Sequence, residues 1–148
     1  MFNIGYIEKI RDKVGNYPLI LNSAGAIINN SDEQILFEYR KDTENWGIPG
    51  GYMEPGESFE ETINRELMEE LAVEVVHLKI YDVFSGKEYY HEYPNGDKVY
   101  SIIALFEAKI SGDFQVDNNE ISRVKFFDHN DLPKNMTRVT EKVLEAYF

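Results

Sequence analysis

The chain has 148 residues, 43% of them hydrophobic and 28% charged, with a formal charge of −12 at pH 7 and no cysteine. That length suits one domain, 1–148, with a core of its own, and the composition excludes a disordered or fibrous chain. Lack of cysteine excludes disulfides, thiolate metal sites and thiol nucleophiles, and the acidity argues against a nucleic acid polymer as partner, because such binding draws on a basic footprint.

The opening MFNIGYIEKIRDKVG carries charge throughout and has no cleavage site of small residues, so no signal peptide is expected. No apolar run approaches the roughly 20 residues that span a bilayer. Together with the missing cysteines, this points to a cytoplasmic protein without a membrane partner.

Along residues 4–14, Ile4, Ile7, Ile10 and Val14 are spaced as on an amphipathic helix, which Gly15 stops. PLILNSAGAIINN reads as one or two strands and QILFEYR as the next, with Asn29-Asn30-Ser31-Asp32 turning between them. WGIPGGYMEPGE reads as a loop and leads into an acidic helix. VEVVHLKIYDVF, KEYYHEY and KVYSIIALFEAKI read as strands, the last two joined at Pro94-Asn95-Gly96-Asp97, a hairpin-turn signal. SRVKFFD is a further strand before a last helix around 137–147 with Val139, Val143 and Tyr147 on one face. Strands surround two or three helices without βαβ alternation, which predicts an α+β protein with a mixed β-sheet covered by helices, the α/β/α type.

The acidic helix lies in ESFEETINRELMEELA, where Glu57, Glu60, Glu61, Glu66, Glu69 and Glu70 share sixteen residues with one cation, Arg65. Ser58 and Glu61 have the spacing of a capping box, so the helix should start at Phe59. Phe59, Ile63, Leu67 and Leu71 form one apolar stripe, and Glu70 falls angularly between Phe59 and Ile63 rather than on the opposite face. A carboxylate at a core boundary is costly unless paired or bound to a cation. Glu66, Glu69 and Glu70 share one side of the helix, and one arginine cannot neutralise all three. An all-oxygen set of that kind selects a hard ion such as Mg²⁺ or Mn²⁺. The alternative is a surface helix with solvated charges.

Residues Gly51 to Val73 resemble the Nudix box, G-x5-E-x7-R-E-U-x-E-E-x-G-U with U aliphatic. Gly51, Glu57, Arg65, Glu66, Leu67, Glu69, Glu70 and Val73 match eight of its nine positions, and WGIPGG is similar to its usual lead-in. Ala72 stands in place of the ninth, a glycine that would end the helix in the left-handed conformation. Either the helix ends differently here or Ala72 is strained by roughly 1 kcal/mol.

The resemblance implies a Nudix hydrolase: an α/β/α sandwich that cleaves a nucleoside diphosphate linked to another group, with Mg²⁺ or Mn²⁺. It implies that Glu66, Glu69 and Glu70 hold the metal with the backbone carbonyl of Gly50 or Gly51, and that Glu57 and Arg65 brace the loop and helix. It does not fix the general base. Glu66 is one candidate and Glu120, in DNNEIS, is another, although Glu120 also reads as an exposed loop acid.

The resemblance further implies a small nucleotide substrate: diadenosine polyphosphate, nucleotide sugar, ADP-ribose or a modified nucleoside triphosphate. Tyr89, Tyr90, Tyr93 and Tyr100 cluster near the hairpin, where aromatic faces could stack on a base or simply pack the sheet. Tyr89 or Tyr90 is similar to the tyrosine of diadenosine polyphosphate hydrolases, and the proline of ADP-ribose-type members is missing. Arg40 could meet a phosphate or be a solvated strand end, and His91 could face the cleft or the surface. The N-terminal helix and the following PLILNSAG strand could cover one face or contact a second copy in a homodimer. A nucleotide-binding module without activity is the alternative function, but it would be free to lose the box glutamates.

Overall fold

The computed structural model describes residues 5–116 and 119–148; Ile4, placed in the first predicted helix, lies outside them. In chain order the elements are α1 (Tyr6–Val14), β1 (Leu19–Ile28), β2 (Ile35–Arg40), β3 (Asn45–Gly47), β4 (Gly50–Tyr52), α2 (Phe59–Leu71), β5 (Glu74–Phe84), β6 (Tyr90–Glu92), β7 (Lys98–Ser111), β8 (Ile121–Phe127) and α3 (Arg138–Tyr147). One mixed sheet runs β4-β1-β7-β5, with β6 also paired to β7. Its β1 and β7 are parallel and its other pairings antiparallel. A second, antiparallel sheet has the order β3-β2-β8.

The alternation of β1 and β7 separates two cores. Ala24, Ala26 and Ile28, with Ala104, Phe106 and Ala108, face Ile63, Leu67 and Leu71 of α2. Ile27, Ile103 and Leu105 face the other way, toward Val143 and Leu144 of α3. A sheet covered on both faces needs strands apolar on both faces, which explains the unbroken AGAII run closing β1. The mixed sheet between helices is the predicted α+β architecture.

The PLILNSAGAIINN segment, read as one or two strands, forms one. Most other predicted elements are present, with two differences. The WGIPGG stretch contains the short strands β3 and β4, and the Pro49 carbonyl accepts from Ala26 N at 3.0 Å. KEYYHEY opens with one 3-10 turn, Lys87–Tyr89, before β6, and the turn carries Tyr89 into the core. The hairpin turn closes through Tyr93 N to Asp97 O and Gly96 N to Tyr93 O, both 2.9 Å.

Helix α2 begins with the expected capping box, Ser58 and Glu61 bonding each other's backbone at 3.1 Å. It ends at Ala72, which adopts the left-handed conformation (φ 57°, ψ 36°). Helix α1 is attached differently, since it has no buried residue. Its Arg11 donates to Gly15 O at 3.0 Å and to Tyr17 O and Lys98 O at 2.7 Å.

Candidate active site

The site is built on two elements whose backbones are fixed. In β2 the alternation of a strand puts Leu36, Glu38 and Arg40 on one face. Leu36 joins the core beneath α2, Glu38 is fully buried, and Arg40 reaches the cleft. Opposite, on α2, Glu70 is only 2% exposed, as its place in the apolar stripe requires.

Glu66, one turn before Glu70, has a side chain 14% exposed, whereas Glu69 is 59% exposed at the outer edge. Gly51 of β4 lies directly against Glu66: a Cβ there would collide with the Glu66 carboxylate. At Gly50 the φ of 149° and the close Ala24 carbonyl likewise leave no room for a side chain.

Arg65 ties the loop to the helix. Its Nε donates to Glu57 Oε2 at 2.6 Å, and its Nη2 to Glu57 Oε1 at 3.0 Å and to Tyr52 O at 2.9 Å. Its Nη1 donates to Glu66 Oε1 at 2.9 Å and Glu69 Oε2 at 3.3 Å. These bonds account for all five guanidinium donors. Glu57 also accepts from Glu54 N at 2.8 Å and Thr62 Oγ1 at 3.1 Å. Mainly through the Arg65 bonds, its carboxyl is held down at about 2.

The inner carboxyls behave in the opposite way. Burial pushes Glu38 up to about 7, with Arg40 opposing and Glu66 and Glu120 adding to the rise. Burial, then Glu38, raises Glu70 well above the usual carboxylate range, and burial also raises Glu66. A proton shared by the facing Glu38 and Glu70 carboxyls would lower the first and raise the second. With both ionised, no donor among the described residues reaches any of their four oxygens. Among the described residues no three acids converge on one point as a finished cation cage. The buried Glu38 and Glu70 oxygens, and Glu66 beside the bare backbone of Gly51, are nonetheless oxygen donors of the kind that suits a hard divalent ion.

Beside these acids opens a cleft of about 610 Å³, bordered by Arg40, Gly51, Glu66, His91, Tyr93 and Glu120. Arg40 is clamped to Asp42 by Nε and Nη2 at 3.1 and 3.0 Å. Burial opposes its charge, but the Asp42 bonds outweigh burial and raise its pKa. Tyr93 and Tyr52 share a hydroxyl hydrogen bond of 2.7 Å, and His91 meets the Tyr93 ring edge-on at 4.4 Å. Glu120 is exposed at the rim, with its carbonyl accepting from Lys41 N at 2.9 Å.

The structure brings Glu57, Arg65, Glu66, Glu69, Glu70 and Gly51 together and leaves Tyr89 and Tyr90 apart from the cleft. Tyr89 is buried against Phe84, and Tyr90 packs on Tyr100. The 3-10 turn shifts which tyrosines face inward, so Tyr93 and Tyr52 stand where Tyr89 or Tyr90 was expected. Sequence reasoning missed Glu38; its signal is an acid on the same strand face as Leu36 within the apolar run ILFEYR.

Residues 20–147 match the NUDIX domain family. The chain belongs to the Nudix hydrolase family. The ADP-ribose pyrophosphatase of Methanocaldococcus jannaschii is 31% identical to this Nudix hydrolase across 99% of the chain and 87% of that relative. The NAD-capped RNA hydrolase NudC of Mannheimia succiniciproducens is 30% identical across 78% of the chain, which spans 42% of that relative's length. Among solved structures, a MutT NUDIX hydrolase from Burkholderia pseudomallei superposes with a TM-score of 0.69 at 27% identity, covering 86% of this chain and 97% of that one. The chain is thus a Nudix pyrophosphohydrolase, of a family that generally uses divalent metals. Among the described residues no helix is long and apolar enough to cross a membrane.

Proposed function

We propose that this Nudix hydrolase cleaves the pyrophosphate linkage of a nucleoside diphosphate joined to another group, with Mg²⁺ or Mn²⁺, and that ADP-ribose represents its substrate class. The observation that carries this reading is Glu66 set against Gly51 at the cleft, with Glu70 one turn further along the helix and both its oxygens buried and, among the described residues, unpartnered. The ADP-ribose pyrophosphatase relative supports the choice of substrate class.

Glu66, Glu69 and Glu70, with the backbone carbonyl of Gly51, hold the metal in this proposal. The bound metal supplies charge neutralisation at the phosphates and a water of lowered pKa. Glu57 and Arg65 keep the loop in register with the helix. Arg40, held protonated by Asp42, faces phosphate oxygens, while Tyr93 and His91 offer ring faces to the base or sugar. Glu66 or Glu120 takes the proton from the attacking water, Glu120 being the freer of the two to move.

The test is a panel assay: purified protein with Mg²⁺ or Mn²⁺, ADP-ribose, a nucleotide sugar, a diadenosine polyphosphate and a modified nucleoside triphosphate, with products identified. Release of AMP from ADP-ribose at the highest kcat/KM is expected. Failure to hydrolyse any of the four compounds would sink the proposal.

A further inference from the structure

We propose that Glu38 is an additional metal-holding carboxylate, so that the cation site spans strand β2 as well as helix α2. This rests on the metal-dependent reading above and extends it to a residue outside the Gly51–Val73 motif.

Three observations carry it. Glu38 is fully buried, and among the described residues no donor other than a proton shared with Glu70 reaches its carboxylate oxygens. Its backbone is held on both sides: within the second sheet Glu38 pairs with Gly47 of β3 on one side and Val124 of β8 on the other. Its side chain shares a strand face with Leu36, which packs in the core beneath α2, and it meets the equally buried and unpartnered Glu70.

Arg40 is the cation that acts on Glu38, and both arginine bonds described above go to Asp42. Glu66, Glu70 and Glu120 are all acids. Two carboxylates thus face each other in the interior with four oxygens and no donor. A buried charge is retained only when it is paired or coordinates a metal, and a chain with no use for Glu38 would be better served by an apolar residue of similar size. Oxygens from two packed elements, next to Glu66, which borders the cleft, suit a hard cation.

The measurement is ion binding rather than turnover. Metal-free wild-type protein and Glu38→Gln are titrated with Mn²⁺, following bound ions by electron paramagnetic resonance and calorimetry, with circular dichroism as the folding control. Glu38→Gln is expected to lose one bound ion or to weaken binding at least tenfold, while its metal-free form melts at an equal or higher temperature. Unchanged stoichiometry with affinity within twofold of wild type overturns the proposal, leaving Glu38 as a residue that holds only a proton.

A wild-type crystal soaked in Mn²⁺ gives a second readout that needs no variant. An anomalous peak at roughly 2.0–2.4 Å from a Glu38 oxygen is expected, and peaks confined to Glu66, Glu69 and Glu70 overturn the assignment. The two proposals fail separately. Unhydrolysed substrates with Glu38-dependent ion binding defeat only the reaction assigned above, and metal-dependent turnover with Glu38-independent binding defeats only this one.

Discussion

At Ala72 the backbone takes φ 57° and ψ 36°, a conformation that costs a residue with a Cβ roughly 1–2 kcal/mol. The strand beyond explains why the cost is accepted. The helix must reverse there so that Val73, fully buried, can enter the core. Ala72→Gly removes the steric cost but loosens the unfolded chain, so a net gain of roughly 0.5–1 kcal/mol is expected in denaturant titrations. Glu70 is the opposite case, a buried carboxyl whose burden on the fold is offset by a cation in the proposed site. Glu70→Gln should leave the fold intact and lower kcat about 100-fold or more; retained turnover at saturating Mg²⁺ would remove Glu70 from the metal site. The motif glutamates were legible because a helix converts spacing into direction. Glu38 was not, because a single acid in a short apolar strand looks the same whether its side chain meets water or another acid, and only the packing of β2 against α2 distinguishes the two.

Between β4 and α2 the connecting loop is held by the Glu57–Arg65 pair, and its stability depends on acid in a defined way. Glu57 is held at about 2 against a usual 4.5. A depressed carboxyl contributes stability above its unfolded value and loses it as pH falls through the folded one. Wild type should therefore melt above Glu57→Gln at pH 6, and the gap should close between pH 4.5 and 2; a constant gap would show that the ion pair contributes nothing to stability. The β4 backbone supplies a second constraint through Gly51. Gly51→Ala forces the Glu66 carboxylate aside, and a displacement of that size should lower kcat on the order of 100-fold with little change in melting temperature. Short strands such as β3 and β4 were not legible in WGIPGG, since their glycines and proline signal a loop. They exist because neighbouring β1 and β2 offer unpaired edges.

Across the whole molecule, the long elements were legible and the placement of the cleft walls was not. The helix stripes predicted which residues of α2 and α3 pack into the two cores. The direction of the tyrosines followed instead from a 3-10 turn, which leaves no periodic trace in the sequence. Helix α1 is the strongest instance. It precedes the family match at residues 20–147 and buries no residue, yet Gly5, Ile7, Glu8 and Arg11 line the cleft. Removing residues 1–15 should leave a folded protein with kcat nearly unchanged and KM raised several-fold. A large fall in kcat at unchanged KM would show that α1 supports the chemistry rather than the substrate.

Arg65 gives the sequence motif a mechanical meaning. One planar group holds the loop carbonyl of Tyr52, both oxygens of Glu57, and the two helix acids Glu66 and Glu69. It therefore acts as a gauge whose jaws are set by the reach of a guanidinium. An inserted or deleted residue between Glu57 and Arg65 would turn the arginine about 100° around the helix axis, away from the loop it clamps. The fixed intervals of the motif are thus the tolerances of that gauge, written along the chain.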